Sequence, residues 1–409
     1  MKKVLGLLLG VLTAIGGFVD IGDLVTNTQV GARFGMSLAW ATILAVIGIC
    51  VFSEMSGRIA AISGRATFDL VRERLGPAMG MVNLLGSMGV TLLTFVAEIG
   101  GVALAVQLIT SVDYLLLFPF IGLTIWLILW RAKFSFIENA FGLLGLGLLV
   151  FVAAVFHLGP DWSTLGHSAI SFSKPAEEHW ATWWYYAIAL LGSGMTPYEV
   201  FFFSSGGVEE HWSPKDLPEM RANVLIGFPL GGVLALALTA CAMIVLGPLG
   251  ISVDSLSQVG LPVALTFGKL GLAIALLGFV AATFGAACET GLSVGYSLGQ
   301  YFGWQWGKYV RSDVAARFHV VLFLATLVAM GVLATTIDPI KVTEMSVVFS
   351  AVALPLTYFP ILVVANDRDY MGEHANGRFA NVLATIFLII VTVAAIAAIP
   401  LMIWTRMGA

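Results

Sequence analysis

The chain has 409 residues, 59% of them hydrophobic and only 11% charged, with a formal net charge of -4. A soluble domain is about a quarter charged, and a mean hydropathy of +0.96 leaves too little polar surface to face water. This composition excludes a cytosolic enzyme, a nucleic-acid-binding protein and a disordered scaffold, and it predicts an all-α polytopic membrane protein.

The bilayer core offers the backbone no hydrogen-bond partner, so each crossing must be a helix of roughly 20 apolar residues or a strand of a closed barrel. The apolar runs are too long and continuous for barrel strands. In chain order, spans are predicted near 4–31, 36–62, 79–110, 114–130, 136–157, 181–205, 222–247, 270–300, 315–336, 342–365 and 379–404, eleven in all. Only Met1, Lys2 and Lys3 precede the first, and it lacks a small-residue cleavage site, so a retained helix is expected rather than a signal peptide. Thr67 to Gly76 reads as a short amphipathic helix on the cytoplasmic surface.

The longest loop, 158–180, lies next to His157 and holds His167, His179, Asp161, Glu177 and Glu178. It is either a cation-collecting surface or an ordinary solvated loop beside an aromatic belt of Trp180, Trp183 and Trp184. The three cysteines, Cys50, Cys241 and Cys288, lie in apolar runs and indicate no disulfide framework.

Basic residues in short loops set orientation. With the N-terminus cytoplasmic, Lys2, Lys3, Arg58, Arg65, Arg72, Arg74, Arg131, Lys133, Lys215, Arg221, Lys308, Arg311, Arg317, Arg368 and Arg378 share one side. The other side keeps Arg33, Lys174, Lys269, Lys341 and Arg406. Fifteen against five supports the span count and predicts an external C-terminus in a plasma (inner) membrane protein.

Two spans carry polar residues and backbone breakers in mid-membrane, where charge is costly and marks a pathway or site. In the first, an apolar run meets Asp20, Ile21, Gly22 and Asp23. In the sixth, a run is interrupted by Gly192, Ser193, Gly194, Met195, Thr196, Pro197 and Tyr198, followed by Glu199. Pro197 lacks an N–H, the glycines lower the cost of unwinding, and unwinding frees carbonyl oxygens. Taken singly, Asp20 or Asp23 could merely cap a helix and Pro197 merely kink one. Five spans apart, the two breaks fit inverted five-helix repeats: residues 1–157, then a loop at 158–180, then residues 181–365, with 366–409 holding a loop and the last span. Asp20 and Asp23, the hydroxyls of Ser193 and Thr196, and the freed carbonyls would form a hard anionic cage suited to a divalent cation.

At this point the motifs resemble those of the NRAMP (natural resistance-associated macrophage protein) family of proton-coupled divalent-metal transporters, which have the LeuT-type fold. The residues that carry the resemblance are DIGD from Asp20, GARFG from Gly31, ISGR from Ile62, AEIGGVALAVQL from Ala97, Glu138, the pair Ser204 and Ser205, and LPLTYFP from Leu354. The resemblance implies that Asp20 falls on the family's metal-binding aspartate, with Asp23 in place of its asparagine and Ile21 in place of its proline. In the sixth span, Ser193, Thr196, Pro197 and Tyr198 occupy the places of the family's alanine, methionine, proline and histidine.

A hydroxyl thus replaces the soft methionine sulfur that favours transition metals. Met195 is one residue away, and a register shift would restore sulfur. Tyr198 and Phe95 stand where the family has a histidine and an aspartate for proton transfer, and neither relays protons near neutral pH. This combination resembles the NRAMP-related magnesium transporters, which however keep the asparagine. Glu98 in the third span and Glu199 after the break are expected in the pathway or as structural acids, Glu289 and Glu344 as lining or interhelical groups, and Glu54 as a partner of Arg58.

The function expected is alternating-access import of Mg2+ and/or Mn2+ without proton coupling, the metal being cargo with no cofactor and no obligate protein partner. The nearest rival is a proton-coupled Mn2+/Fe2+ symporter; a LeuT-type amino-acid or amine symporter is a further one. No HExxH, GxSxG or clustered His and Cys ligands indicate an enzyme.

Overall fold

The computed structural model describes residues 19–131 and 141–408, so the apolar run before Val19, Lys133 and Glu138 lie outside the described residues. In chain order the helices are α1 (Ile21–Phe34), α2 (Ala39–Ser63), α3 (Thr67–Thr110), α4 (Tyr114–Arg131), α5 (Phe141–Leu158) and α6 (Trp162–Ile170). They continue as α7 (Trp180–Gly194), α8 (Pro197–Glu209), α9 (Leu217–Leu249), α10 (Leu256–Phe302), α11 (Ala316–Leu333), α12 (Pro339–Asn366), the single turn α13 (Arg368–Met371) and α14 (Arg378–Trp404). Among the described residues there is no strand.

Nine of these helices are long and apolar enough to cross a membrane: α2 to α5, α9 to α12, and α14. At 15 and 13 residues, α7 and α8 are each too short to cross alone, and end to end they have the length of one crossing. Large apolar side chains cover the outside of the bundle, among them Leu116, Phe120, Phe156, Ile389, Ile396 and Ile403. A surface of this kind is stable only against hydrocarbon.

Two of the longest helices bend at a glycine. Gly76 in α3 has φ +83 and Gly268 in α10 has φ +63, a backbone region that costs glycine little. The predicted surface helix from Thr67 therefore runs directly into the third span, separated from Pro77 only by the Gly76 bend. α3 and α10 pack along each other, α12 packs along α3, and α1 rests chiefly on α9.

Polar ties close both ends of the bundle. At one end Glu54 accepts from Arg58 at 3.1 Å and from Arg221 at 2.9 Å, and Arg58 also donates to Asn376 Oδ1 at 2.6 Å. Nearby, Glu209 at the end of α8 accepts from the backbone N–H of Lys308 (2.6 Å) and the hydroxyl of Tyr296 (2.7 Å). At the other end Arg33 pairs with Glu178 at 2.8 Å, and Asp161 caps α6 through Ser163 N at 3.0 Å. Two of the acids in the 158–180 loop are thus engaged in holding it in place.

The belt expected of Trp180, Trp183 and Trp184 is reduced to two members. Trp183 is fully buried, with its ring 4.8 Å from Phe172 and 5.8 Å from Trp40, while Trp180 and Trp184 stay exposed. An indole inside the bundle needs an acceptor, and Ser37 Oγ supplies it at 3.3 Å.

Candidate metal centre

The second break is shorter than the sequence predicts. α7 stays helical through Gly192, Ser193 and Gly194, and only Met195 (φ -130, ψ 49) and Thr196 (φ -65, ψ 138) leave the helix before Pro197 starts α8 as its first residue. Proline is favoured there because the amide it lacks would have no helical partner. Gly192 serves the packing of α7 on α12 rather than the unwinding, since its missing Cβ admits the Val347 carbonyl.

In the first break, Asp20 is the N-cap of α1 (φ -97, ψ -176), and its Oδ1 accepts from Asp23 N at 2.9 Å. The capping role and the site role therefore coexist in one carboxylate: Oδ1 holds the helix start, and Oδ2 accepts from the Tyr198 hydroxyl at 3.4 Å. The carbonyl end of α7 meets the N-terminal starts of α1 and α8 here. A cation gains from the negative end of α7, and the Asp20 carboxylate offsets the positive end of α1.

A small cavity of about 10 Å3 lies at this junction, lined by Asp20, Gly22, Glu98 and Thr196 from the predicted set. Thr94 of α3 and Thr343, Ser346 and Ser350 of α12 complete its polar wall. The sequence singles out none of these four; the three of α12 carry the signal of a hydroxyl at positions i, i+3 and i+7, and Thr94 carries none. Thr94 and Ser346 hydroxyls bond each other at 2.7 Å, tying α3 to α12. A space of this size holds about one water or a bare ion, not a hydrated ion, in this conformation.

Glu98 is fully buried; its Oε1 accepts from Ile21 N at 3.2 Å, and its Oε2 has no partner. Asp23 takes another direction. Its Oδ1 accepts from Ser193 Oγ at 2.9 Å and Asn27 Nδ2 at 3.2 Å, so Asp23 and Ser193 meet each other beside the cavity rather than on its wall. Asp23 Oδ2 has no partner. Glu199 is buried and accepts from Thr196 Oγ1 at 3.4 Å. Glu289, also buried, lies within electrostatic range of Glu98 and Glu199. Glu344 is held by Gln29 Nε2 at 2.7 Å, bridging α12 to α1.

No Lys or Arg forms an ion pair with Asp20, Asp23, Glu98 or Glu199 among the described residues. Nor do three His, Cys, Asp or Glu side chains converge as a ready-made metal cage among them. Hydroxyls, carbonyls and water must supply the remaining ligands of any cation bound here.

The sulfur of Met195 is not available at the cavity. Its thioether lies in the space over Gly48 of α2, and its carbonyl accepts from the Tyr358 hydroxyl at 3.0 Å. Tyr358 is itself stacked on Phe52, ring centroids 4.1 Å apart. Phe95 is fully buried against Gly291 of α10. Tyr358→Phe keeps the stack and strips the donor from the break, leaving a buried carbonyl unpaired. The expected loss of stability is about 1–3 kcal/mol, read as a lower unfolding midpoint in detergent; an unchanged midpoint would show that the break does not depend on this bond.

Residues 10–400 match the family model described as natural resistance-associated macrophage protein-like. The chain belongs to the Nramp family. Nramp proteins are divalent-metal transporters, so the chain is a multi-pass membrane transporter and not an enzyme, with the metal as cargo and no resident cofactor. Among solved structures, a manganese transporter of Eremococcus coleocola in complex with an aromatic bis-isothiourea compound superposes with a TM-score of 0.66 at 16% identity, covering 98% of this chain and 93% of that one. Mhp1, a nucleobase-cation-symport-1 family transporter, gives a TM-score of 0.62 at 14% identity, with 97% and 92% covered. A Na+-coupled sialic acid symporter gives 0.62 at 13%, with 95% and 88% covered. At such identities the likeness establishes the fold, which is the LeuT type with its broken first and sixth spans.

Proposed function

We propose that this Nramp-family chain imports Mg2+ and/or Mn2+ by alternating access, without obligatory proton coupling. The observation that carries the reading is that every polar side chain on the cavity wall presents oxygen, beside the apolar Ile21, Ala97 and Val347, while the Met195 sulfur is turned away onto Gly48. Carboxylates and hydroxyls suit hard cations, and the absence of a soft ligand removes the advantage of transition metals. In this scheme Asp20 and Thr196 contact the ion, and Asp23 and Ser193 adjoin it across the break. Mg2+ sheds water reluctantly, so the cavity must widen from its present size to admit it with part of its shell.

Orientation and architecture follow the same proposal. The N-terminus is cytoplasmic, the C-terminus external and the membrane the plasma membrane, as the basic-residue bias indicates. The inverted repeats are residues 1–157 and 181–365; the matching glycine bends of α3 and α10, each in the third span of its half, support that division. Inward flux is driven by the membrane potential, at about 4.6 kcal/mol for two charges per 100 mV.

Calorimetric titration with Mg2+, Mn2+ and Ca2+, repeated on Thr196→Met, tests the ligand assignment. The substitution should weaken Mg2+ binding about tenfold and strengthen Mn2+ relative to it; an unaltered ratio would remove Thr196 from the site. Coupling is read separately. Glu98, with one oxygen unpartnered at the cavity, is the observation that favours a proton-coupled Mn2+/Fe2+ symporter. Metal-driven acidification of proteoliposomes carrying a pH reporter would establish that rival.

A further inference from the structure

A second opening, of about 240 Å3, lies on the lipid-facing side of the bundle between α3, α12 and α14. Met79, Leu356, Phe359 and Leu388 make it apolar, and Asn83 and Thr392 are its polar members. Pro355 and Pro360 of α12 also line it. The exposed Met79, Val82, Leu85, Ile386 and Ile389 around it place its mouth in hydrocarbon.

Asn83 is 2% exposed. Its Oδ1 accepts from Ser87 Oγ at 3.3 Å, whereas its Nδ2 has no acceptor. An amide donor left unpaired in an apolar setting costs on the order of 1–3 kcal/mol or more. Whatever fills the groove must therefore be apolar over most of its length and carry one acceptor near Asn83.

The rim narrows the choice. Asn83 lies six residues into α3 beyond Pro77, roughly 9 Å along the helix axis. At the same end, α12 and α14 are tied by the amides of Asn366 and Asn381 at 2.7–2.8 Å, beside the exposed side chains of Arg368 and Arg378. Along the membrane normal the order is thus a rim of mixed charge, where Arg368 and Arg378 stand with Asp369 and Glu373, then the lone amide donor, then the apolar groove. The same order of anionic phosphate, ester carbonyl and acyl chain runs through an anionic glycerophospholipid.

We propose that this groove is a binding site for one anionic diacyl phospholipid, with an ester carbonyl on Asn83 Nδ2, an acyl chain along Leu356, Phe359 and Leu388, and the phosphate at Arg368 and Arg378. The lipid would bridge α14 to the two helices that carry Thr94, Glu98, Thr343, Ser346 and Ser350 at the ion cavity, and so load the joint that moves in alternating access. The site is independent of the ion assigned to that cavity.

The test is native mass spectrometry of the full chain released from phosphatidylcholine nanodiscs containing phosphatidylglycerol as the probe, in diester or diether form. The diether keeps the charge and the chains but lacks the carbonyl. Wild-type protein should retain one diester phosphatidylglycerol about fivefold better than the diether, the expected worth of one hydrogen bond to a buried donor. Asn83→Leu should erase that difference, Leu356→Trp should expel the lipid by filling the groove, and Arg368→Gln with Arg378→Gln should remove the preference for phosphatidylglycerol over phosphatidylcholine. Equal retention of diester and diether by the wild-type protein overturns the carbonyl contact whether or not any variant folds. A preference for phosphatidylglycerol that survives loss of both arginines overturns the headgroup assignment.

Discussion

Asp20→Asn should reduce divalent-cation uptake into proteoliposomes at least about a hundredfold while the protein remains folded. Asparagine caps a helix as well as aspartate does, so the bond from Asp23 N, at 2.9 Å in the wild type, is kept and α1 still starts in the same place. What is lost is the negative charge at the cavity. Removing one partner of a buried charge interaction costs about 3–5 kcal/mol, which is more than two decades of affinity. Without metal the variant should be as stable as the wild type or more so, because a buried anion with no basic partner has been neutralised. Two readings separate site from scaffold: added Mg2+ or Mn2+ should raise the unfolding midpoint of the wild type and not that of the variant. A metal-induced shift retained in Asp20→Asn would take Asp20 out of the centre.

Gly192→Ala is expected to be the most damaging single methyl in the bundle. A Cβ built there lies 1.9 Å from the Val347 carbonyl oxygen and 3.0 Å from Ala351 N, both backbone atoms of α12. A side chain could rotate away; a helix backbone cannot, so α7 and α12 must separate next to the cavity. Overpacking of this kind costs about 1–3 kcal/mol, and more when the obstruction is backbone. Gly89→Ala provides the control, since nothing lies within 4 Å of its built Cβ on the lipid-facing side of α3. Alanine there should be neutral or stabilising by about 0.5–1 kcal/mol. Thermal unfolding and size-exclusion profiles of the two variants check the contrast; equal behaviour would mean that the α7–α12 approach is looser than the structure has it.

Much of the candidate site was legible in residue types. Asp20 sits in mid-span with a cap-compatible spacing to Asp23, and Pro197 names the restart of a helix because its missing amide is harmless only in the first turn. The directions of the side chains were not legible. A three-residue spacing between acids puts them on one face only if both lie within a helix, and Asp20 is extended while Asp23 is helical. Asp23 therefore turns to Ser193 and Asn27. Met195, one residue from the position of a possible soft ligand, is carried toward Gly48 by the φ and ψ of the break.

The hydroxyls of α12 were hidden for a different reason. Serine and threonine are common in membrane helices, where they can bond to their own preceding turn, as Thr343 does to the Pro339 carbonyl at 2.9 Å. Their type alone does not distinguish a lining residue from a self-satisfied one. Only the position of α12 beside α3 makes Ser346 a partner of Thr94 and a wall of the cavity.

The membrane, the spans and the two breaks were decided within the chain, because hydrophobic length, proline and glycine act over one or two helical turns. The cavity was decided between elements. Asp20 and Tyr198 are 178 residues apart, and Thr94 and Ser346 are 252 apart. No local rule relates such positions; they meet because α1, α3, α8 and α12 bury their small and polar faces against one another, away from a lipid that offers those groups no hydrogen bond.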